Sequence, residues 1–288
     1  MKMKFILLLC CFIAVASTIN AQNKIHVKTH NKDLATTRVN DYKKWGVFPS
    51  KDESIRKIVM KVTMGTPVQD TMRCADWDYS DPIYISKVGG VNGTDLNYEI
   101  GRMLTPYGGA NPKGWEFQWE IDVTDFASLL RDSVEINYTH QGGEPGHDRG
   151  WAITVDFEIT KGTPILEPIK INEVYKDSYV YGNIKDDIEN HLKPYTFKVS
   201  PQTGIVRSRI LQTGHGMDRP DNCGEFCSKW RELIWNGKVA EHTQLWKNCS
   251  DNALYPQAGT WLIDRANWCP GDLFEAQLNH LGTNLHDQ

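Results

Sequence analysis

Cys223 and Cys227 bracket Glu225, so oxidation closes a small ring with a carboxylate at its tip. By loop entropy so short a ring contributes only about 2 kcal/mol, which makes its use positional: it mounts one acid. Taken alone, the ring reads more simply as a stabilised turn whose glutamate faces water. A second stretch, Cys74-Ala75-Asp76-Trp77-Asp78-Tyr79, sets two acids around a tryptophan. In extended chain Asp76 and Asp78 share a face and Trp77 points away. Mutual repulsion and an apolar wall would both raise a carboxyl pKa, making an acid or base that works near neutrality. The plainer reading is an Asp pair that caps a strand end through turn hydrogen bonds. A third group lies in Gly214-His215-Gly216 and in Asp264-Arg265 and Trp268-Cys269-Pro270-Gly271. There His215 could donate to a hydroxyl or orient Glu225, and the Arg265 guanidinium with the Trp268 ring could grip a polar ligand. A lone histidine is still more often structural.

These residues sit in an exported chain. Lys2 and Lys4 precede an apolar run from Phe5 to Ala16 followed by small and polar residues, a secretory leader expected to be removed after Ala21, with Ala14-Val15-Ala16 as a second candidate site. The run is too short to span a bilayer. Of the 7 cysteines, Cys10 and Cys11 leave with the leader. In an oxidising compartment the remainder pair most naturally as Cys223 with Cys227 and Cys249 with Cys269, leaving Cys74 free. The longer of the two loops is worth about 3 kcal/mol. No Cys-x-x-Cys pair among these cysteines supports a metal site. Removing Lys2 and Lys4 takes the formal charge from -4 to -6, and an acidic exported chain without basic runs is a poor nucleic-acid binder. The 10 Trp and 11 Tyr offer flat faces that suit sugar rings, although most such residues fill cores.

The elements that must position these groups are strands. Ile58, Met60, Val62 and Met64 alternate with polar or outward residues, as do Trp115, Phe117, Trp119, Ile121 and Val123, and again Trp151, Ile153, Val155, Phe157 and Ile159. A period of two means one buried and one wet face. Gly and Pro clusters such as Thr105-Pro106-Tyr107-Gly108-Gly109 punctuate the strands, and no long amphipathic helix stands out. The pattern predicts an all-β chain of two jelly-roll sandwiches, residues 22–165 and 166–288, with the division after Lys161-Gly162-Thr163-Pro164. The stretch from Asn172 to Pro194 alternates poorly and is expected to wrap across the interface.

Several motifs in order now carry a resemblance. They are Asn97-Tyr98-Glu99-Ile100-Gly101-Arg102, Thr105-Pro106-Tyr107, Glu120-Ile121-Asp122-Val123-Thr124-Asp125-Phe126, the Cys-Gly-Glu-Phe-Cys ring, and Asp264-Arg265-Ala266-Asn267-Trp268-Cys269-Pro270-Gly271. Together they resemble bacterial F-type peptide-N-glycosidases, secreted amidases that remove N-linked glycans from asparagine. The resemblance implies two jelly rolls side by side, an active site in the cleft between them, no cofactor, and a glycoprotein or glycopeptide substrate. A monomer is expected. It also implies Asp78 as the principal acid/base group, Glu225 as the binder of the first sugar and a bridging water, and Trp77, His215 and Arg265 as pocket residues.

The chain also departs from the family. Where the family carries a glutamate after Tyr-Thr, Tyr138-Thr139 is followed by His140; a tryptophan two positions on is Gly142, and an arginine after the catalytic aspartate is Tyr79. The partner of Cys74 is missing. His140 is the expected stand-in at the substrate, with Glu144, His147 and Arg149 as further substitutes. Only 17 residues follow Gly271 (288 minus 271), so an incomplete second sandwich is expected. Three other readings stay open: a glycosidase using Asp78 and Glu225 as its acid pair, a non-catalytic glycan binder, and a copper monooxygenase-like protein of the same architecture. For the last, His140, His147, His215 and His242 are widely scattered in sequence.

Overall fold

In the computed structural model the described residues are 24–36, 40–142, 148–218, 222–254, 256–274 and 276–282. The expected leader, with Cys10 and Cys11, lies outside them, as do Glu144 and His147. Among the described residues there is no α-helix, only short 3-10 turns, and the chain is all-β as its periodicity predicts.

Strands β1 (Lys24–Ala35), β2 (Asp41–Val47), β3 (Ile55–Gly65), β4 (Arg73–Cys74), β5 (Ser80–Val88), β6 (Asp95–Leu104), β7 (Glu116–Asp122), β8 (Ser133–Thr139) and β9 (Arg149–Lys161) build the first half. They form two sheets. One has the order β1-β9-β3-β7, with β4 joined to β9; the other has the order β2-β8-β5-β6. Alternation puts Ile58, Met60, Val62 and Met64 of β3 against Val155, Phe157 and Ile159 of β9, and opposite them Ile83, Ile85, Val134, Ile136 and Tyr138 of the other sheet, all fully buried. Each such side chain contributes about 1.5–3 kcal/mol of burial. The inner faces therefore make a sandwich core.

The second half has shorter ladders. β10 (Val206–Ile210) pairs with β15 (Gln277–Gly282), β11 (Met217–Asp218) with β12 (Asn222–Cys223), and β13 (Lys229–Trp235) with β14 (Lys238–Leu245). The disulfides are Cys223–Cys227 and Cys249–Cys269, and Cys74 is a buried free thiol. Burial pushes the Cys74 pKa up, so this thiol is held unreactive.

The two halves are laced by backbone. Leu104 N–H donates to Asp272 O (3.0 Å), Gly271 N–H to Leu104 O (2.9 Å) and Phe274 N–H to Arg102 O (3.0 Å), so residues 271–274 line the open edge of β6. Tyr107 N–H donates to Gln257 Oε1 (3.1 Å), and Ala258 N–H returns a bond to Tyr107 O (3.1 Å). Arg207 pairs with Asp125, and Arg209 donates to Ile100 O. Ile171 O accepts from Tyr98 of β6, and Lys176, in the poorly alternating stretch from Asn172 to Pro194, sits over the Tyr84 ring of β5 at 4.6 Å.

Candidate active site

The three stretches that looked capable of chemistry meet around Arg265, which is completely buried although it carries a permanent charge. A guanidinium out of water must be paired and hydrogen-bonded. Its Nε donates to Glu225 Oε1 (3.2 Å), Nη1 to Ile263 O (2.7 Å), and Nη2 to Thr260 O (3.2 Å) and Tyr107 Oη (3.4 Å). Nη2 also lies 3.8 Å from Asp78 Oδ2, beyond direct hydrogen-bond reach but close enough for strong electrostatic attraction. Rings complete its cage: Trp268 is 4.9 Å and Phe226 5.2 Å from the guanidinium carbon. One cation thus joins an acid of the first half, Asp78, to an acid of the second, Glu225.

The local chain explains the precision. Asp78 lies in the turn between β4 and β5. Buried Thr105, just past β6, pins that turn: its hydroxyl donates to Trp77 O (3.0 Å) and accepts from Tyr79 N–H (2.8 Å), while its own N–H donates to Tyr79 O (2.8 Å). Glu225 is held by its ring. Gly216 O accepts both Gly224 N–H and Glu225 N–H (3.1 Å each), Glu225 O accepts Ala266 N–H (2.8 Å), and Gly214 N–H donates to Ala266 O (3.0 Å). Trp268 Nε1 donates to Gly214 O (2.8 Å) and Asn267 Nδ2 to Gln212 O (2.9 Å). Of the glycines flanking His215, Gly214 serves close backbone packing, whereas Gly216 has open space at its Cβ position and a φ of 86° that favours glycine. A Cβ at residue 214 would stand 1.9 Å from Gly224 O. We expect Gly214→Ala to displace the ring, costing about 1–3 kcal/mol of stability and at least tenfold in any activity that needs Glu225. Thermal unfolding and kinetics on the same preparation measure both.

Electrostatics single out Asp78. Burial pushes its pKa up to about 6, against the pull of the Arg265 charge and a hydrogen bond from Tyr107, with Glu225 adding a smaller upward push. The expected Asp76–Asp78 repulsion is not the cause. Asp76 makes a two-point contact with Arg73 and lies 3.1 Å from Arg149 Nη1, and those partners hold its pKa down. Arg149, expected as a substitute at the substrate, anchors Asp76 in this way.

The remaining candidates fall on both sides of the group. Trp77 is 57% exposed and meets Tyr107 edge-on at 6.2 Å, an open indole beside the acid. His215 packs on Trp268 at 4.9 Å, with Nε2 2.8 Å from Thr213 Oγ1. Neighbouring protein and the charges of Arg102 and Arg265 hold its pKa down, toward about 4. Although His215 is an exposed residue, the lowered pKa leaves its imidazole neutral at neutral pH. Arg265 and Trp268 are buried floor; neither offers surface for gripping a ligand. His140 is not brought to the group's surface. Its side chain is buried against Asp81, Nδ1 lying 2.9 Å and 3.0 Å from the two carboxylate oxygens.

Tyr107 was missed as a site residue. Its place after Thr105-Pro106 read as turn punctuation, yet its hydroxyl sits among Arg265, Thr260 and Asp78. Chemically the cluster offers a carboxyl with a pKa near 6, a second carboxylate on a rigid mount, and a buried cation that links them. Among the described residues no group of three or more His, Cys, Asp or Glu side chains is arranged to hold a metal, and no helix is long and apolar enough to cross a membrane.

Comparison with known proteins gives a consistent relation. The family described as peptide-N-glycosidase F, C terminal, matches residues 183–288. The peptide-N(4)-(N-acetyl-beta-D-glucosaminyl)asparagine amidase F of Elizabethkingia miricola is 28% identical, over 92% of this chain and 75% of that protein. A solved recombinant peptide:N-glycanase F is 25% identical with a TM-score of 0.63, covering 92% of this chain and 85% of its own. PNGase F from Flavobacterium meningosepticum, a glycosylasparaginase, is 26% identical with a TM-score of 0.65 over the same shares.

Proposed function

We propose that this peptide-N-glycosidase F-like protein is an exported amidase that hydrolyses the bond between an N-linked glycan and asparagine, releasing the glycan and leaving aspartate. The observation that carries the reading is the shared cation: Asp78 from one half and Glu225 from the other meet on buried Arg265. Amide hydrolysis needs a water that loses a proton as it attacks the carbonyl carbon, and a proton for the nitrogen that leaves. A carboxyl with a pKa of about 6 holds both forms near neutrality, so Asp78 suits both transfers. As carboxylate it takes the proton from water; as acid it returns it when the C–N bond breaks and the glycosylamine departs. Glu225, rigid on its ring, accepts from hydroxyls of the first sugar and from a bridging water. Trp77 and neutral His215 wall the sugar, and Arg265 and Trp268 act from beneath.

The division of the chain near residue 165 puts one acid in each sandwich, so only the docked pair is competent. Residues 1–21 as a leader fit an enzyme that meets glycoproteins outside the cell.

Mass spectrometry of a defined N-glycopeptide after incubation tests the reading. An intact glycan released with conversion of asparagine to aspartate is expected, and Glu225→Gln should weaken it about 10- to 100-fold. Cleavage between sugars, leaving a stub on asparagine, would overturn it in favour of a glycosidase. An unchanged peptide that still binds the folded protein would overturn it in favour of a glycan-binding homologue.

A further inference from the structure

Three polar side chains with no role in the scheme above are fully buried at the end of the first sandwich. They are Asp81 at the start of β5, Tyr138 near the end of β8, and His140 just after it. Asp81 accepts the Tyr138 hydroxyl at 2.5 Å, the His140 Nδ1–H at 2.9 and 3.0 Å, and the Gln141 N–H at 3.4 Å. A carboxylate buried this deeply keeps its place only while such donors stay put.

The cluster borders the turn that bears Asp78. Asp81 is the third residue after it, and the Tyr79 ring meets His140 edge-on at 5.9 Å. The turn is thus held at two points: Thr105 grips the backbone of Trp77 and Tyr79, and the Asp81 cluster grips the far end and the Tyr79 ring. Gly142 is a condition for this arrangement. A Cβ there would lie 2.2 Å from His140 Nε2, so His140 can occupy its seat only while residue 142 has no side chain. The His140 and Gly142 departures noted in the sequence are therefore one coupled feature.

We infer that the Asp81–His140–Tyr138 cluster, given room by Gly142, is a positioning device that fixes the Trp77-Asp78-Tyr79 turn for catalysis. Its catalytic arm rests on the amidase reading; its structural arm does not. His140 acts through Tyr79 and Asp81 and touches no substrate.

The test compares Gly142→Ala, His140→Ser and the double variant, each with its Tm checked. Two readouts are followed: kcat and KM on a glycopeptide, and NMR exchange rates of the Tyr79 and Thr105 amides. We expect Gly142→Ala and His140→Ser each to lower kcat about 10- to 100-fold with KM within threefold, since misplacement by an ångström costs on that order. The double variant should be no worse than His140→Ser, because Gly142→Ala acts only by evicting the ring. Both amides should exchange faster in every variant. A Tm loss with unchanged kcat and unchanged Tyr79 exchange would overturn the inference and leave a merely structural network. Independent addition of the two effects would overturn it as well. If the wild type does not cleave glycopeptides, the amidase reading fails separately, and coupled exchange at Tyr79 and Thr105 still decides whether the cluster holds the turn.

Discussion

Asp78→Asn should abolish glycan release while making the protein more stable at neutral pH. The loss is expected to be about 10²- to 10⁴-fold, because both proton transfers are assigned to this one group. The gain follows from the direction of its pKa. Burial, acting first, lifts the carboxyl to about 6 in the folded chain, from an ordinary value of 3.8. Between those values the folded state holds a proton that the unfolded state has released. Stability from this group is therefore fully present at low pH, falls as pH rises through about 4 to 6, and stays lower above. Each pH unit of difference corresponds to about 1.4 kcal/mol. Asparagine avoids the penalty of burying the ionised form but also removes one anion from Arg265, so we expect a net gain of about 1–2 kcal/mol at pH 7.5. That gain should vanish near pH 4. Denaturant midpoints of wild type and variant at both values check it, and a variant less stable at pH 7.5 would show that Arg265 depends on Asp78 more than Asp78 suffers from burial.

Arg265→Met carries the second large effect, with the opposite sign for stability. It strips the cation from two carboxylates and leaves Thr260 O, Ile263 O and the Tyr107 hydroxyl without that donor. Removing one partner of a buried pair typically costs about 3–5 kcal/mol. The Arg265 charge is also the leading influence that holds the Asp78 pKa down against burial. The acid limb of any residual activity should consequently move to higher pH. Glu225→Gln removes a neighbour that pushes the same pKa up, so its acid limb should move to lower pH. Arg265→Lys restores the charge at one point but cannot span Glu225, Ile263 and Thr260 together. It should bring back the acid limb and little of the stability. Unfolding curves and pH–rate profiles of the three variants check these signs.

How much of this was legible depends on range. The strands were legible because a period of two is local: every alternating residue chosen in β3 and β9 is buried. The ring at Glu225 was legible because its cysteines lie four apart. That Arg265 would stand between Asp78 and Glu225 was not, since the contact to Asp78 spans 187 residues (265 minus 78) and no local pattern encodes it. The same limit made Asp76 look like a partner of Asp78, when Arg73 and Arg149 claim it. His140 shows the limit on its own. A histidine at a position where the family that this chain resembles carries a glutamate reads as a surface ligand, and only the packing of Gly142, Asp81 and Tyr79 places it inside.

The run of backbone bonds from residues 271–274 to β6 has a consequence for handling this protein. An uncovered strand edge is a template on which other chains can polymerise. Here the chain comes back, after building most of its second half, to lie along the strand it left at Leu104. The molecule is therefore its own edge guard. Loss of residues 271–274 from that edge would leave the Leu104 N–H and C=O and the Arg102 C=O as free hydrogen-bonding groups for the next molecule.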